Sequence, residues 1–191
     1  LLDKNILIQQ IYNPKQIAFQ LEKNKQAHWL RQSTDDTALT GYESLAKELS
    51  KIKKLQAVFI PTSSGTTAEG LYKGFKKIKI NPQIHIIQTT ACHPIAEAIN
   101  SADLKNTTTS LANAIVDKIA HRKIEVKQAV EESGGNSWIA TDTEIRAAIK
   151  LISKTEKIKI SANSALALVG LKKAKEKKIA DGPIVLLITG R

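Results

Sequence analysis

Residues 57–75 read AVFIPTSSGTTAEGLYKGF, an apolar strand, a small-residue turn and an amphipathic helix set back to back. No other stretch constrains the fold as much. AVFI is short, apolar and partly β-branched, the character of a buried strand, and Pro61 ends the pairing. From Ala68 onward apolar residues return at helical spacing, at Leu71, Phe75 and Ile78. Between strand and helix lie Thr62, Ser63, Ser64, Gly65, Thr66 and Thr67, all small and five of them hydroxylated. They leave successive backbone N–H groups uncovered at a helix N-terminus, where unpaired donors and the macrodipole favour an anion. Phosphate is the natural guest. The alternative is a loop that merely caps its own helix, because Ser and Thr are good N-caps.

The same alternation runs along the rest of the chain. Residues 5–12, NILIQQIY, are predicted as a strand, and Asn13-Pro14 as the N-cap and first position of a helix that turns Ile17, Ala18 and Leu21 inward. Residues 27–31, AHWLR, read as another short strand, and a polar break at 33–36 precedes a helix over 39–52 with Leu45, Leu49 and Ile52 on one face. Pro82 introduces the strand IHIIQT, and the turn at 90–95 leads into a further helix. Gly134-Gly135 marks a tight turn before a strand at 138–140, and Thr141-x-x-Glu144 is a capping box ahead of Ile145, Ala148, Ile149 and Ile152. Residues 158–160 read as a strand, 161–164 as a polar turn, and 165–171 as a small-residue helix able to approach a sheet closely. Gly182-Pro183 then starts a last buried strand, IVLLIT. Strands and helices in this repetition predict an α/β fold, a three-layer αβα sandwich whose strands at Ala57, Ile84 and Ile184 are parallel.

Composition narrows the function classes. A chain of 191 residues, 42% hydrophobic and 25% charged, can bury a sizeable core as one domain, with room for part of a second. No apolar run approaches membrane-spanning length and no secretory leader opens the chain, so a reducing cytoplasm is expected. The chain contains no Met, and Leu1 is therefore not expected to be where translation began. Either an N-terminal part has been removed or methionines have dropped out of the sequence. The single cysteine, Cys92, excludes an internal disulfide framework and a structural zinc site, and reads as a buried thiol. His93 reads as a loop residue. A formal charge of +11 invites a nucleic-acid partner, but aromatics are only 4% and are not interleaved with the lysines, so bases have little to stack on.

The turn and the elements around it resemble fold type II pyridoxal-phosphate enzymes, and among these the threonine synthases. Residues 63–67 stand where that group has G-x-G-G-T, with Ser63 and Thr66 in place of two glycines. The run ALTGYES at 38–44 resembles the place where the small domain returns the chain to the large one. The resemblance thus makes residues 1–34 the end of a small domain and 35–191 the C-terminal part of the large one. A Cys before x-Pro-Ile at 92–95, the SLANAIVDKI run at 110–119 and the ESGG turn at 132–135 are similar to threonine synthase segments in the same order. Ser161-Ala162-Asn163-Ser164 replaces an E-P-x-S-A turn that faces the cofactor ring, which implies a cofactor contact for Asn163 and Ser164; an ordinary N-cap accounts for them as well. Thr189-Gly190-Arg191 resembles an L-T-G ending whose Thr hydroxyl bonds the pyridine nitrogen.

These matches imply pyridoxal 5'-phosphate as cofactor, held by Ser63, Ser64, Gly65, Thr66, Thr67, Thr189, Asn163 and Ser164. A neutral hydroxyl at the ring nitrogen makes the cofactor a milder electron sink, suited to elimination and replacement chemistry. The activity implied is that of a lyase converting O-phosphohomoserine to threonine, in a full-length homodimer, with threonine or serine dehydratase, or a non-catalytic phosphate-ligand binder, as alternatives. No lysine sits in the Ser-x-Lys-like setting of the family's Schiff-base residue, so the catalytic lysine is unassigned. The resemblance covers the C-terminal portion of the family, and implies that residues 1–191 alone are inactive.

Overall fold

The computed structural model describes residues 6–100, 106–179 and 181–190; expectations touching Leu1, Asn5 and Arg191 lie outside them. In chain order the elements are α1 (Pro14–Lys23), α2 (Thr37–Leu49), β1 (Ala57–Pro61), α3 (Thr66–Lys77), β2 (Gln83–Thr89), α4 (Pro94–Ile99), α5 (Lys123–Ser133), β3 (Asn136–Ala140), α6 (Asp142–Thr155), α7 (Ala162–Glu176) and β4 (Ile184–Leu186). They fall into two units, Leu1–Arg31 and Gln32–Arg191.

In the first unit the only helix among the described residues is α1, begun by Pro14 but with Asn13 in the left-handed region at φ 58° and its side chain making no cap. Ile17 and Ala18 are half-buried and Leu21 is exposed, so the inward face predicted from spacing is only partly covered. Over its described part, residues 6–12, the first expected strand does not form, and neither does the one at 27–31. A strand needs a ladder to satisfy its backbone, and among the described residues none pairs with these segments; Leu7, Ile8 and Leu30 are largely exposed.

The second unit is built on a parallel sheet in the order β3-β2-β1-β4. Val58 lies beside Ile84 and Val185, and Ile87 beside Trp138. Because side chains alternate across a strand, β1 and β2 feed two cores. Val58, Ile60, Ile84 and Ile86 pack with Leu71, Phe75, Ile95, Val126 and Val130 under α3, α4 and α5. Phe59, Ile87, Trp138 and Ala140 pack with Ile145, Ala148 and Leu166 under α6 and α7. The predicted αβα sandwich of parallel strands is therefore the observed one, with α2 laid against α3.

Gly170 lets α7 touch the sheet. A Cβ there would stand 2.4 Å from Ile87 Cγ1, which is too close, and a tight 3.2 Å from Phe59 Cδ1. The small residues of this helix serve the close approach read from the sequence. Beside it His85 is fully buried and stacked on Phe59 with ring centroids 4.4 Å apart. Trp138 Nε1–H donates to its Nδ1 at 3.4 Å, which leaves Nε2 to donate to Gln83 Oε1 at 3.1 Å. Burial pushes this imidazole down to about 4, with a backbone contact at Asn136 opposing. It is neutral near pH 7.

Two further expectations are corrected. Residues 158–160 are not a strand: Lys157 turns left-handed at φ 56°, Ile160 plugs the core under α6 and α7, and Ile158 stays exposed. The alternating pattern here marks a connector with one inward residue. β4 is also shorter than IVLLIT. After Leu186 the chain makes one more bond to the sheet, Leu187 N to Phe59 O at 3.1 Å, and then leaves it.

Candidate functional site

The carboxyl end of β1 and the chain just beyond β4 meet the amino ends of α3 and α7 around a cavity of about 320 Å³. Open parallel sheets place their ligands at this end. Ser63, Ser64, Gly65, Thr66 and Thr67 line the cavity together with Asn163 and Thr189, from segments about a hundred residues further on. Tyr42, Ala114 and Ile115 line it as well, and among the described residues no lysine does.

Ser164 is the sequence candidate that the cavity does not include. It is fully buried, takes N–H bonds from Gly190 at 2.9 Å and donates to Gly190 O at 2.8 Å. Ser161 Oγ in turn accepts the N–H of Ser164 at 3.2 Å and caps α7. These two serines fix the tail that carries Thr189. Asn163 reaches the cavity wall and accepts the N–H of Ala114 at 3.0 Å, holding residues 113–115 in place.

The loop hydroxyls do not cap α3. Its N-cap is Gly65, left-handed at φ 95°, and no side-chain cap bonds its first-turn N–H groups. Thr62 donates to Ile60 O at 2.7 Å; Ser63 Oγ accepts the N–H groups of Val116 and Asp117 at 3.1 and 3.2 Å; Thr67 donates to Tyr42 Oη at 3.1 Å. Thr66 donates to Gln32 O at 3.2 Å, so the 3.0 Å contact between Ser64 Oγ and Thr66 Oγ1 uses the proton of Ser64. Each hydroxyl has a partner other than the first-turn N–H groups of α3. The first-turn N–H groups of α3 are thus left to whatever enters the cavity, which suits an anion.

A buried ion cluster lies behind the loop and carries no signal in the sequence. Arg122 is 4% exposed and Glu69, in the first turn of α3, is 1% exposed. Arg122 Nη1 donates to Glu69 Oε2 and to Asp36 Oδ1, each at 2.8 Å. Nε and Nη2 donate to Gln32 O at 3.3 and 3.0 Å, and Nη2 also to Asp35 O at 3.0 Å. Burial opposes the charge of Arg122, but Glu69 and Asp36 outweigh it and raise its pKa. Lys73 adds a second cation at 2.5 Å from Glu69 Oε1.

Cys92 is buried, and burial together with nearby Asp117 raises its thiol pKa, in keeping with the structural thiol expected. His93 precedes α4 and its Nδ1 contacts Thr89 O at 2.9 Å. A larger cavity, about 580 Å³, follows edge strand β3. Two of its charged groups pair, and side chains bond the strand: Lys173 bonds Glu144 and Ile139 O, each at 2.8 Å, Lys177 lies over the Trp138 ring, and Asn100 Nδ2 bonds Ser137 O. That edge is closed by side chains. Among the described residues no His, Cys, Asp and Glu group is placed to hold a metal ion, and no helix is long and apolar enough to cross a membrane.

A fold, an uncapped helix start and a neutral hydroxyl in one cavity agree with the relationships of the sequence. The chain belongs to the family of pyridoxal-phosphate dependent enzymes, whose model matches residues 7–190. It is 31% identical to the threonine synthase of Methanocaldococcus jannaschii, an alignment covering 90% of this chain and 46% of that protein. The threonine synthase of Methanosarcina acetivorans is 27% identical, with 85% of this chain and 44% of the relative covered. The chain thus spans about half the length of the curated relatives it matches. Among solved structures, the processed form of threonine deaminase isoform 2 from Solanum lycopersicum superposes with a TM-score of 0.70 at 19% identity, over 90% of this chain and 51% of that one.

Proposed function

We propose that this chain forms the phosphate- and ring-binding part of a threonine synthase-like enzyme that acts on O-phosphohomoserine. One observation carries the reading: Thr189 lines the same cavity as the loop from Ser63 to Thr67. The donor set suits pyridoxal 5'-phosphate. Main-chain N–H groups at the start of α3 would hold the phosphate, and Thr189 would offer its hydroxyl to the ring nitrogen. When bound, the cofactor supplies the electron sink for elimination and replacement. A neutral Thr189 keeps that sink mild, as such chemistry prefers. Asn163 holds the wall formed by Ala114 and Ile115, and Ser164 fixes the backbone next to Thr189. We assign no residue of this chain as the covalent lysine. Residues 1–34 are the end of the small domain in this reading and 35–191 the C-terminal part of the large one, and the whole enzyme acts as a homodimer in the cytoplasm.

The superposition on a threonine deaminase supports a second reading, threonine or serine dehydratase. The two separate in one assay on the protein supplied with pyridoxal phosphate and with the N-terminal portion of a threonine synthase. Release of phosphate from O-phosphohomoserine supports the synthase; release of an α-keto acid from threonine supports the dehydratase. Without that portion, cofactor binding is expected to be weak and borohydride to label no single lysine. Stoichiometric labelling of one lysine in residues 1–191 alone would show that the catalytic residue lies in this chain after all.

A further inference from the structure

A carboxylate in the first turn of an anion-binding helix is an unexpected guest. Glu69 is one turn from Gly65 and almost wholly buried, so its charge is poorly screened by solvent and opposes any phosphate held at the start of α3. Arg122 answers it. The N–H groups of its guanidinium all find acceptors: Glu69, Asp36, Asp35 O and, twice over, Gln32 O. Gln32 O is also the acceptor that fixes the hydroxyl of Thr66, and through it that of Ser64. A continuous hydrogen-bond chain therefore runs from the guanidinium to the loop. The packing agrees, since a Cβ on Gly65 would lie 3.6 Å from Arg122 Cβ and 2.5 Å from Val126 Cγ2, which puts the left-handed turn directly on the start of α5.

We propose that Arg122 is a positioning residue for the phosphate loop: it offsets part of the charge of Glu69 and pins Gln32 O against Thr66, so that the loop meets a phosphate already shaped and against less of a carboxylate's repulsion. The proposal rests on the reading of the loop as a phosphate site. Arginine is required for this arrangement, because a lysine keeps the charge but cannot reach four acceptors on two segments, 32–36 and α3, with a planar fork.

The test is calorimetric titration of the protein with pyridoxal phosphate and with pyridoxal, which isolates the contribution of the phosphate. Arg122→Lys is expected to weaken pyridoxal phosphate roughly tenfold while leaving pyridoxal within about twofold. Glu69→Gln removes the repulsive charge and keeps an acceptor for Arg122, so pyridoxal phosphate should bind roughly threefold tighter, again with pyridoxal unchanged. A purely structural Arg122 predicts the opposite pattern: both ligands weaken together in Arg122→Lys, or the melting temperature falls with the ratio of affinities unchanged. Either result overturns the proposal. So does unchanged or weaker pyridoxal phosphate binding by Glu69→Gln, which decides the matter alone where Arg122→Lys does not fold. Wild-type protein that shows no preference for the phosphorylated ligand overturns the functional reading and this proposal with it; a wild-type preference that both variants retain overturns the proposal alone.

Discussion

Helices α3 and α6 both start where a parallel strand ends, and they solve the same problem in opposite ways. Each has first-turn N–H groups without an intrahelical partner. At α6 the chain answers with its own side chains: Thr141 Oγ1 accepts the N–H of Glu144, and Glu144 Oε2 accepts that of Thr141 at 2.8 Å. Burial raises the pKa of Glu144, but Lys173 and the two Thr141 donors outweigh it and keep the carboxyl below its ordinary value. At α3 five hydroxyls stand nearby and none is given to the helix. A helix start closed by its own sequence is structural. One whose neighbouring hydroxyls all have partners elsewhere leaves its first-turn N–H groups open, in the proposed reading for a ligand, with a left-handed glycine at its N-cap.

The largest effect expected on this contrast comes from Gly65→Val. A β-branched residue strains the left-handed backbone, and its Cβ would stand 2.5 Å from Val126 Cγ2. Together these should cost about 4 kcal/mol of stability and abolish measurable pyridoxal phosphate binding. Urea unfolding and a cofactor titration read the two quantities. A variant that unfolds later than this estimate and still binds the cofactor would mean that the loop need not be preformed.

Acid should weaken the protein from the other face of the sheet. His85 lies under α6 and α7 and titrates near 4 when folded, against about 6.5 in the unfolded chain. Its folded pKa is depressed, so its contribution is complete above pH 6.5 and is lost as the pH falls toward 4, where about 3 kcal/mol has gone. Unfolding free energies at pH 7.5 and 4.5 measure this. In His85→Gln the slope over that window should be much smaller, and an equal slope would move the cause to another group.

Thr141→Ala breaks the closed cap and should cost about 1 kcal/mol, with cofactor affinity unchanged. The melting curve and the same titration check it. A loss of affinity equal to that of a loop variant would erase the distinction between the two helix starts.

What could be read in advance follows the range of the interactions. AVFI, IHIIQT and IVLLIT are dominated by apolar residues without strict alternation, as in a sheet with helices on both faces, so parallel order was legible, although β4 is only half-buried. NILIQQIY, AHWLR and Ile158-Lys159-Ile160 also alternate or run apolar, yet strand formation depends on a neighbour that the local pattern does not contain. The capping box from Thr141 to Glu144 is a four-residue motif and reads directly from sequence. The loop at 63–67 is equally local, but its hydroxyl partners are not. Tyr42 lies 25 residues from Thr67, and Gln32 lies 90 residues from Arg122. Arg122 itself follows Ala120 and His121 with nothing in spacing or type to set it apart from the other basic residues.

The smallest effect, and the one that tests whether geometry or charge governs the open end, belongs to Lys73→Ala. Lys73 sits one turn past Glu69 and pairs with it, but its side chain is half exposed, so water and salt screen its charge. Arg122 still offsets part of the charge of Glu69 in the variant, through a buried contact at 2.8 Å that solvent does not reach. The loop keeps its shape as well, since no bond to Ser63, Ser64, Thr66 or Thr67 involves Lys73. Pyridoxal phosphate affinity should therefore fall less than about twofold, and stability by less than about 0.5 kcal/mol. The fall should shrink further between 0.05 and about 0.5 M salt, where the Debye length shortens to a few ångströms. A loss as large as that of Gly65→Val, removed by salt, would make long-range attraction the reason an anion settles at α3, with no need for an uncapped turn.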